Sequence, residues 1–348
     1  MAIIRVLSLL CLLLALPQVA AARGNDEDRY LRRGVFVDGR VWLLTDHGSL
    51  FAIDEHTRRR TNADLPDDVL DICRHDGQLL AVTGERYAGR WAVHRRTAGG
   101  NWQLLGLAPR SNDSLLAMDC SAASPVTLLT SGRLIEMRPG GSASVTLSEL
   151  TYARVGMSTF GTRDYLYVGL NSGEWGGGLR RIDRRTGQAA TIAEEAGGGC
   201  GGPLNTGCDP VHAIVPVPWR PGCIAAAIGL VHFEPHGRLV AICGENVEAL
   251  YSRGLSLDGR GNEQAADNNW PSVAFFGIVR SGNGLLAAGI DGLYRIGPDG
   301  QGRLEPFPAF QQIAGVQLSL GQPDVILAVT RINQRASISG AVPLLIPR

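Results

Sequence analysis

Apolar residues fall along this chain in runs of four to seven, separated by clusters of Gly, Asp, Asn and Pro. Such runs are too short for helices and carry no 3.6-residue period, so they predict strands. The strands read as hairpins. Seven segments have the composition of a second hairpin strand: 40–45, 78–83, 125–130, 164–170, 223–229, 284–290 and 324–330. Their starts lie 38, 47, 39, 59, 61 and 40 residues apart. Dipeptides such as Asp38-Gly39, Asp76-Gly77 and Asp291-Gly292 are turn chemistry rather than phosphate-binding loops, because Gly adopts the positive φ that tight hairpin turns need.

The preceding strands carry a second pattern. Aligned on their hairpins, they present Gly34, Asp71, Met118, Gly156, Ala213, Gly277 and Gly315 at one place, and only Asp71 and Met118 are neither Gly nor Ala. Strand glycine normally weakens a sheet, so a repeated small residue points to close backbone approach, as where innermost strands crowd around an axis. Residues 23–348 divided among seven units give about 47 residues each, the length of a four-stranded blade. The expected architecture is all-β: a seven-bladed β-propeller of four-stranded antiparallel blades. No Pro- or Ser-rich linker divides the chain, so residues 23–348 are expected to form a single domain.

Residues 1–22 have the form of a Sec-type signal peptide, with Arg5, the apolar run Val6 to Leu16, the helix breaker Pro17 and small residues Ala20 to Ala22. The run is shorter than the roughly 18 residues of a spanning helix, and no later segment replaces it. The expected protein is exported to the periplasm or beyond, with no membrane span. Cys11 lies within the apolar run, too early for a lipoprotein cleavage site.

Within this frame, the segments Leu285 to Ile296 and Tyr167 to Gly173 resemble blades of secreted bacterial propellers of the sensor-propeller and streptogramin-lyase-like kind. The resemblance is architectural and spans nearly all of residues 23–348. It implies a scaffold that hosts binders and enzymes alike.

Composition narrows the chemistry. Basic and acidic residues balance at 33 each, which gives no electrostatic footprint for nucleic acid. Every basic side chain is Arg; the absence of Lys excludes Walker-A nucleotide binding, Ser-x-x-Lys acylation and pyridoxal Schiff bases. Six cysteines follow the signal segment, and an even number in an exported chain reads as disulfides. Fifteen connectivities are open; placement favours Cys200 with Cys208 and Cys223 with Cys243, and leaves Cys73 and Cys120 as a staple between neighbouring blades if their separation permits, or else as two buried thiols.

Insertions locate a candidate site. The second-to-third-strand loops are expected to be long in blade four, 171–178, and in blade five, 230–237, with long connections at 194–210 and 254–270. Together they form a rim over blades four to six, where loops carry function. Its candidate ligand-binding residues are Asn171, Glu174, Trp175, Asp209, His212 and His232. Trp175 can stack on a ligand ring, and Glu, Asp and His together suit a divalent cation or acid–base work. His236, between Pro235 and Gly237, reads as a turn residue. The favoured reading is a binding propeller for a small molecule, glycan or protein, monomeric because a closed ring leaves no sheet edge. The alternative is a metal-assisted lyase or hydrolase, as the resemblance allows, with His212 or His232 as base and Glu174 as acid or ligand. No catalytic residue, cofactor or metal is assigned.

Overall fold

The computed structural model describes residues 31–84, 89–138, 140–149, 156–193, 195, 201–232, 234–255, 271–305, 316–322, 325–330 and 343–347. The expected signal segment, Cys200, most of the 254–270 connection and Gly315 lie outside them. Among the described residues the secondary structure is strand throughout, apart from one 3₁₀ turn.

Each hairpin of the sequence pattern becomes half a blade. Blade one is β1 (Leu31–Val37), β2 (Arg40–Thr45), β3 (Leu50–Asp54) and β4 (Arg60–Asn62); blade two is β5 (Val69–His75), β6 (Gln78–Gly84), β7 (Arg90–Arg96) and β8 (Trp102–Pro109). Blade three is β9 (Leu115–Asp119), β10 (Thr127–Thr130), β11 (Arg133–Arg138) and β12 (Gly141–Thr146). Blade four is β13 (Gly156–Gly161), β14 (Tyr165–Asn171), β15 (Gly177–Asp183) and β16 (Ala189–Ile192). Blade five is β17 (Val211–Pro216), β18 (Cys223–His232), β19 (Glu234–Cys243) and β20 (Asn246–Tyr251); blade six is β21 (Phe275–Ser281), β22 (Gly284–Gly289), β23 (Gly292–Ile296) and β24 (Gly302–Glu305). Every pairing is antiparallel between strands consecutive in sequence.

Among the described residues the expectation of seven four-stranded blades is corrected to six. The remaining sheet, β25 (Val316–Gln322), β26 (Val325–Thr330) and β27 (Pro343–Pro347), has three strands among the described residues. β25 packs on both β21 and β1, so the first strands of successive sheets run around an axis.

The small-residue positions fall where that crowding predicts: Gly34, Asp71, Met118, Gly156, Ala213 and Gly277 all lie in first strands. Asp71 is accommodated by bonding. Its carboxylate accepts from the N–H groups of Met118 and Ile72 at 3.0 and 2.9 Å and pairs with Arg33 at 3.2 Å, joining blades one, two and three. Burial of a charge is tolerable only with such partners.

The core lies between blades. Ile214, Ile228 and Val240 of blade five pack with Tyr167 and Leu179 of blade four, while Ala227 and Leu239 on the opposite face meet Phe275 and Tyr294 of blade six. Two-residue alternation along β18 and β19 thus fills two interfaces from one sheet. Cys73–Cys120 joins blade two to the end of β9, and Cys223–Cys243 joins two opposed strands of blade five. The former spans 47 positions, for which chain-entropy arguments give about 4 kcal/mol of stabilisation.

Candidate functional site

Blade four supplies the first part of the rim. Between β14 and β15 the chain makes the 3₁₀ turn Gly173–Trp175, then reverses through Gly176, Gly177 and Gly178, all at positive φ. Gly176 is required for space as well as angle, since a Cβ there would lie 2.4 Å from Thr206 O. The turn therefore docks directly on the 201–209 connection. Gly177 N–H donates to Thr206 O at 3.0 Å and Gly178 N–H to Asp209 O at 2.8 Å. Glu174 and Trp175 are left facing outward. Trp175 is 77% exposed, the highest value among the exposed large apolar residues.

Asn171 and His212 meet at the centre of this region. Asn171 Oδ1 accepts from Gly173 N–H at 2.9 Å, which turns its amide toward His212, and Nδ2 lies 3.2 Å from His212 Nδ1. His212 Nε2 lies 2.6 Å from Gly229 O, a carbonyl that only accepts. The network assigns one tautomer, with the proton on Nε2 and Nδ1 accepting from Asn171. Phe276 meets the imidazole edge-on at 5.2 Å. Both ring nitrogens are engaged, so base or metal-ligand chemistry at His212 requires breaking one of these bonds.

Asp209 belongs to a different cluster. It is fully buried, pairs with Arg238, accepts from Asn205 N–H at 2.6 Å and sits 3.7 Å from His236 Nε2. Arg238 also donates to Pro203 O and Gly202 O at 2.7 and 3.0 Å. This arrangement fastens the connection to β19 and keeps Asp209 from the rim surface. His236, expected in a turn, is a buried residue of β19.

The expected long loop 230–237 is likewise replaced by strand. β18 runs to His232 and β19 begins at Glu234, with Cys223 opposite Cys243 and His232 opposite Glu234 in unbroken register. Apolar Leu230 and Val231 continue the alternation of the strand, which carries the hairpin past its neighbours. The His232 side chain lies outside the described residues. Cys208 is disulfide-bonded, and its expected partner, Cys200, also lies outside them.

The structure thus brings Asn171 to His212, places Glu174 and Trp175 on the adjoining turn, and separates Asp209. Arg238 and Asn205 were missed by sequence reasoning; a charged residue alternating with apolar ones in a buried strand was the available signal for Arg238. Among the described residues no three His, Cys, Asp or Glu side chains group as a metal site, and no helix is long and apolar enough to cross a membrane. A crevice of about 400 Å³ lies elsewhere, between the β2–β3 turn and the 62–69 connection, lined by Ser49, Arg60, Asn62, Asp67 and Asp68 among others. It is polar and open, and shares no residue with the rim.

No family model matches the chain, and no curated protein does. Solved structures match in fold. YCF48 bound to a D1 peptide aligns with TM-score 0.54 and 12% identity over 92% of this chain and 93% of that one. A GH74 enzyme of Niastella koreensis aligns with TM-score 0.53 and 11% identity over 90% of this chain and 54% of that one. The chain has the fold of these propellers. The extracellular domain of a one-component system of B. thetaiotaomicron aligns with TM-score 0.49 and 14% identity over 88% of this chain and 38% of that one. The chain thus spans about half of the GH74 chain and less than half of the one-component chain. At these identities the likeness extends to architecture alone.

Proposed function

We propose that this chain is an exported binding propeller, a single domain that takes a small molecule, glycan or protein on the rim of blades four to six. The observation that carries this reading is Trp175. An indole 77% exposed on a turn that is itself fastened by backbone bonds to a second loop is an ordered apolar surface held out to solvent. Exposed aromatic anchors of this kind supply large contact area at small entropic cost. Val231, on a strand against which the turn packs, is also exposed. The disulfides fit an oxidising compartment. A propeller with a bound peptide, YCF48, supports a peptide or protein among the ligand classes. The metal-assisted lyase or hydrolase is the weaker reading, because His212 spends both nitrogens on Asn171 and Gly229.

The test is a screen of the full chain against glycan, peptide and small-molecule panels, repeated with Trp175→Ala. The reading expects at least one ligand whose affinity falls tenfold or more in the variant while the melting temperature is unchanged. Ligands bound equally by both proteins would refute it. Stoichiometric metal in the purified chain, lost with Glu174→Ala, would favour the enzyme instead.

A further inference from the structure

Strand β18 outruns its inner neighbour. β17 begins at Val211, which lies opposite Ile228, so from Gly229 onward β18 has β19 on one edge and no β17 on the other. The direction of its backbone groups follows from the alternation of an antiparallel ladder, in which opposed residues either exchange both bonds or send them to the outer edges. Three observations fix the phase. Cys223 and Cys243 are opposed with Cα atoms 4.4 Å apart, the spacing of a non-hydrogen-bonded pair. Cys223 O accepts from Val217 N–H, on the β17 side. Gly229 O receives His212, while Gly237 opposite it donates to Ser272 Oγ on the far side.

Odd-numbered residues of β18 therefore direct N–H and C=O away from β19. Val231 shares that phase. Its partner across the ladder is Pro235, which has no N–H and whose carbonyl accepts from Ser272 N–H on the far side. The Val231 N–H and C=O thus lie on an edge turned toward the axis of the ring, and among the described residues no backbone group pairs with them. The Val231 side chain is 42% exposed, and the turn bearing Trp175 packs against this strand.

We propose that this edge docks an extended peptide segment of a partner protein, which adds as a strand beside Val231 in the line that β17 leaves. The proposal deepens the rim reading and rests on it. A paired donor and acceptor on a strand edge are matched by another extended backbone, which adds through its own main-chain N–H and C=O groups. The exposed Val231 and Trp175 call for an apolar side chain on the incoming segment. An apolar strand edge left without a partner is an aggregation hazard, which occupancy by a strand removes.

The experiment selects binders to the full, disulfide-intact chain from a random-decapeptide display library. The selected peptides are then measured against Val231→Pro, Val231→Asp and Trp175→Ala, each checked by thermal melting. Val231→Pro removes the edge N–H, and Val231→Asp serves should the proline variant not fold. The expected result is a tenfold or greater loss with the Val231 variant and with N-methylation of alternate peptide residues. Failure to enrich any peptide would overturn the proposal, as would binding of glycans alone. A peptide sensitive to Trp175→Ala but indifferent to Val231→Pro and to N-methylation would overturn the edge and leave the rim standing. Indifference to all three variants would overturn both.

Discussion

Asn171 donates to the ring nitrogen of His212 that carries no proton. The amide is itself oriented by Gly173 N–H, so a backbone group of the blade-four turn aims the donor that matches the tautomer Gly229 O requires. The Nε2 proton reaches Gly229 O on β18, and one chain of bonds links the turn, the start of β17 and the extended hairpin. Removing a partner from a buried hydrogen bond costs about 1–3 kcal/mol. Asn171→Ala is expected to lower stability by that amount while His212 keeps its Nε2 proton on Gly229 O. Nitrogen NMR shifts of the imidazole check this: loss of the Nε2–H signature in the variant would show that Asn171, and not Gly229, sets the tautomer.

Presentation of Trp175 depends on Gly176. At φ 73° and with Thr206 O in the way of any Cβ, this position admits no larger residue without moving the turn off the 201–209 connection. Gly176→Ala is expected to cost about 1–3 kcal/mol, the scale of an enforced backbone strain. Faster amide exchange at Gly177 and Gly178, whose N–H groups donate to that connection, is the specific readout. Trp175→Ala, in contrast, should change stability by less than about 0.5 kcal/mol, as an exposed substitution.

Asp209 and Arg238 form the clasp beneath the rim. Asp209→Ala leaves a largely buried guanidinium with carbonyl partners only, and breaking a buried pair from one side costs about 3–5 kcal/mol. The double variant Asp209→Ala with Arg238→Met is expected to lose less than the sum of the two single changes, because no uncompensated charge remains. Chemical denaturation of the four proteins measures the coupling, and strict additivity would deny that the pair acts as a unit.

How much of this was legible in the sequence differs with the range of the interaction. The second strand of blade one, 40–45, and the register that sets Cys223 against Cys243 are local hairpin properties carried by two-residue alternation. The correction to six four-stranded blades concerns a count that local pattern cannot supply, since a hairpin reads alike in a three- or four-stranded sheet. Of the two loops expected on the rim, 171–178 shortens to the connection 172–176 between β14 and β15, and 230–237 is strand, where Pro235, His236 and Gly237 look like a turn and yet continue β19. Pro235 is tolerated there because its missing N–H falls on a non-bonded position of the ladder. Asp209, a candidate ligand-binding residue in the sequence, is instead buried against Arg238, a partner 29 positions later that nothing near it in sequence announces.

One titration should be visible in stability. His94 on β7 is half-buried, with Nε2 3.2 Å from Thr83 Oγ1, and burial lowers its pKa below 6.5, opposed by the charge of Asp67. The folded chain therefore binds this proton less readily than the unfolded chain does. Its contribution is complete above about pH 6.5 and is lost as the pH falls through that value toward the folded pKa, since the unfolded state then takes up more protons. The carboxylates of Asp54, Asp113 and Asp183 are lowered by hydrogen bonds from Thr57, Arg133 and Thr186, so their contributions are lost only below about pH 3.8. Within the His94 window, above that of the carboxylates, the melting temperature is expected to decline with acidity in the native chain and to decline less in His94→Gln, which keeps an amide beside Thr83. Parallel slopes for the two proteins from pH 7 to pH 5 would assign the dependence to another group.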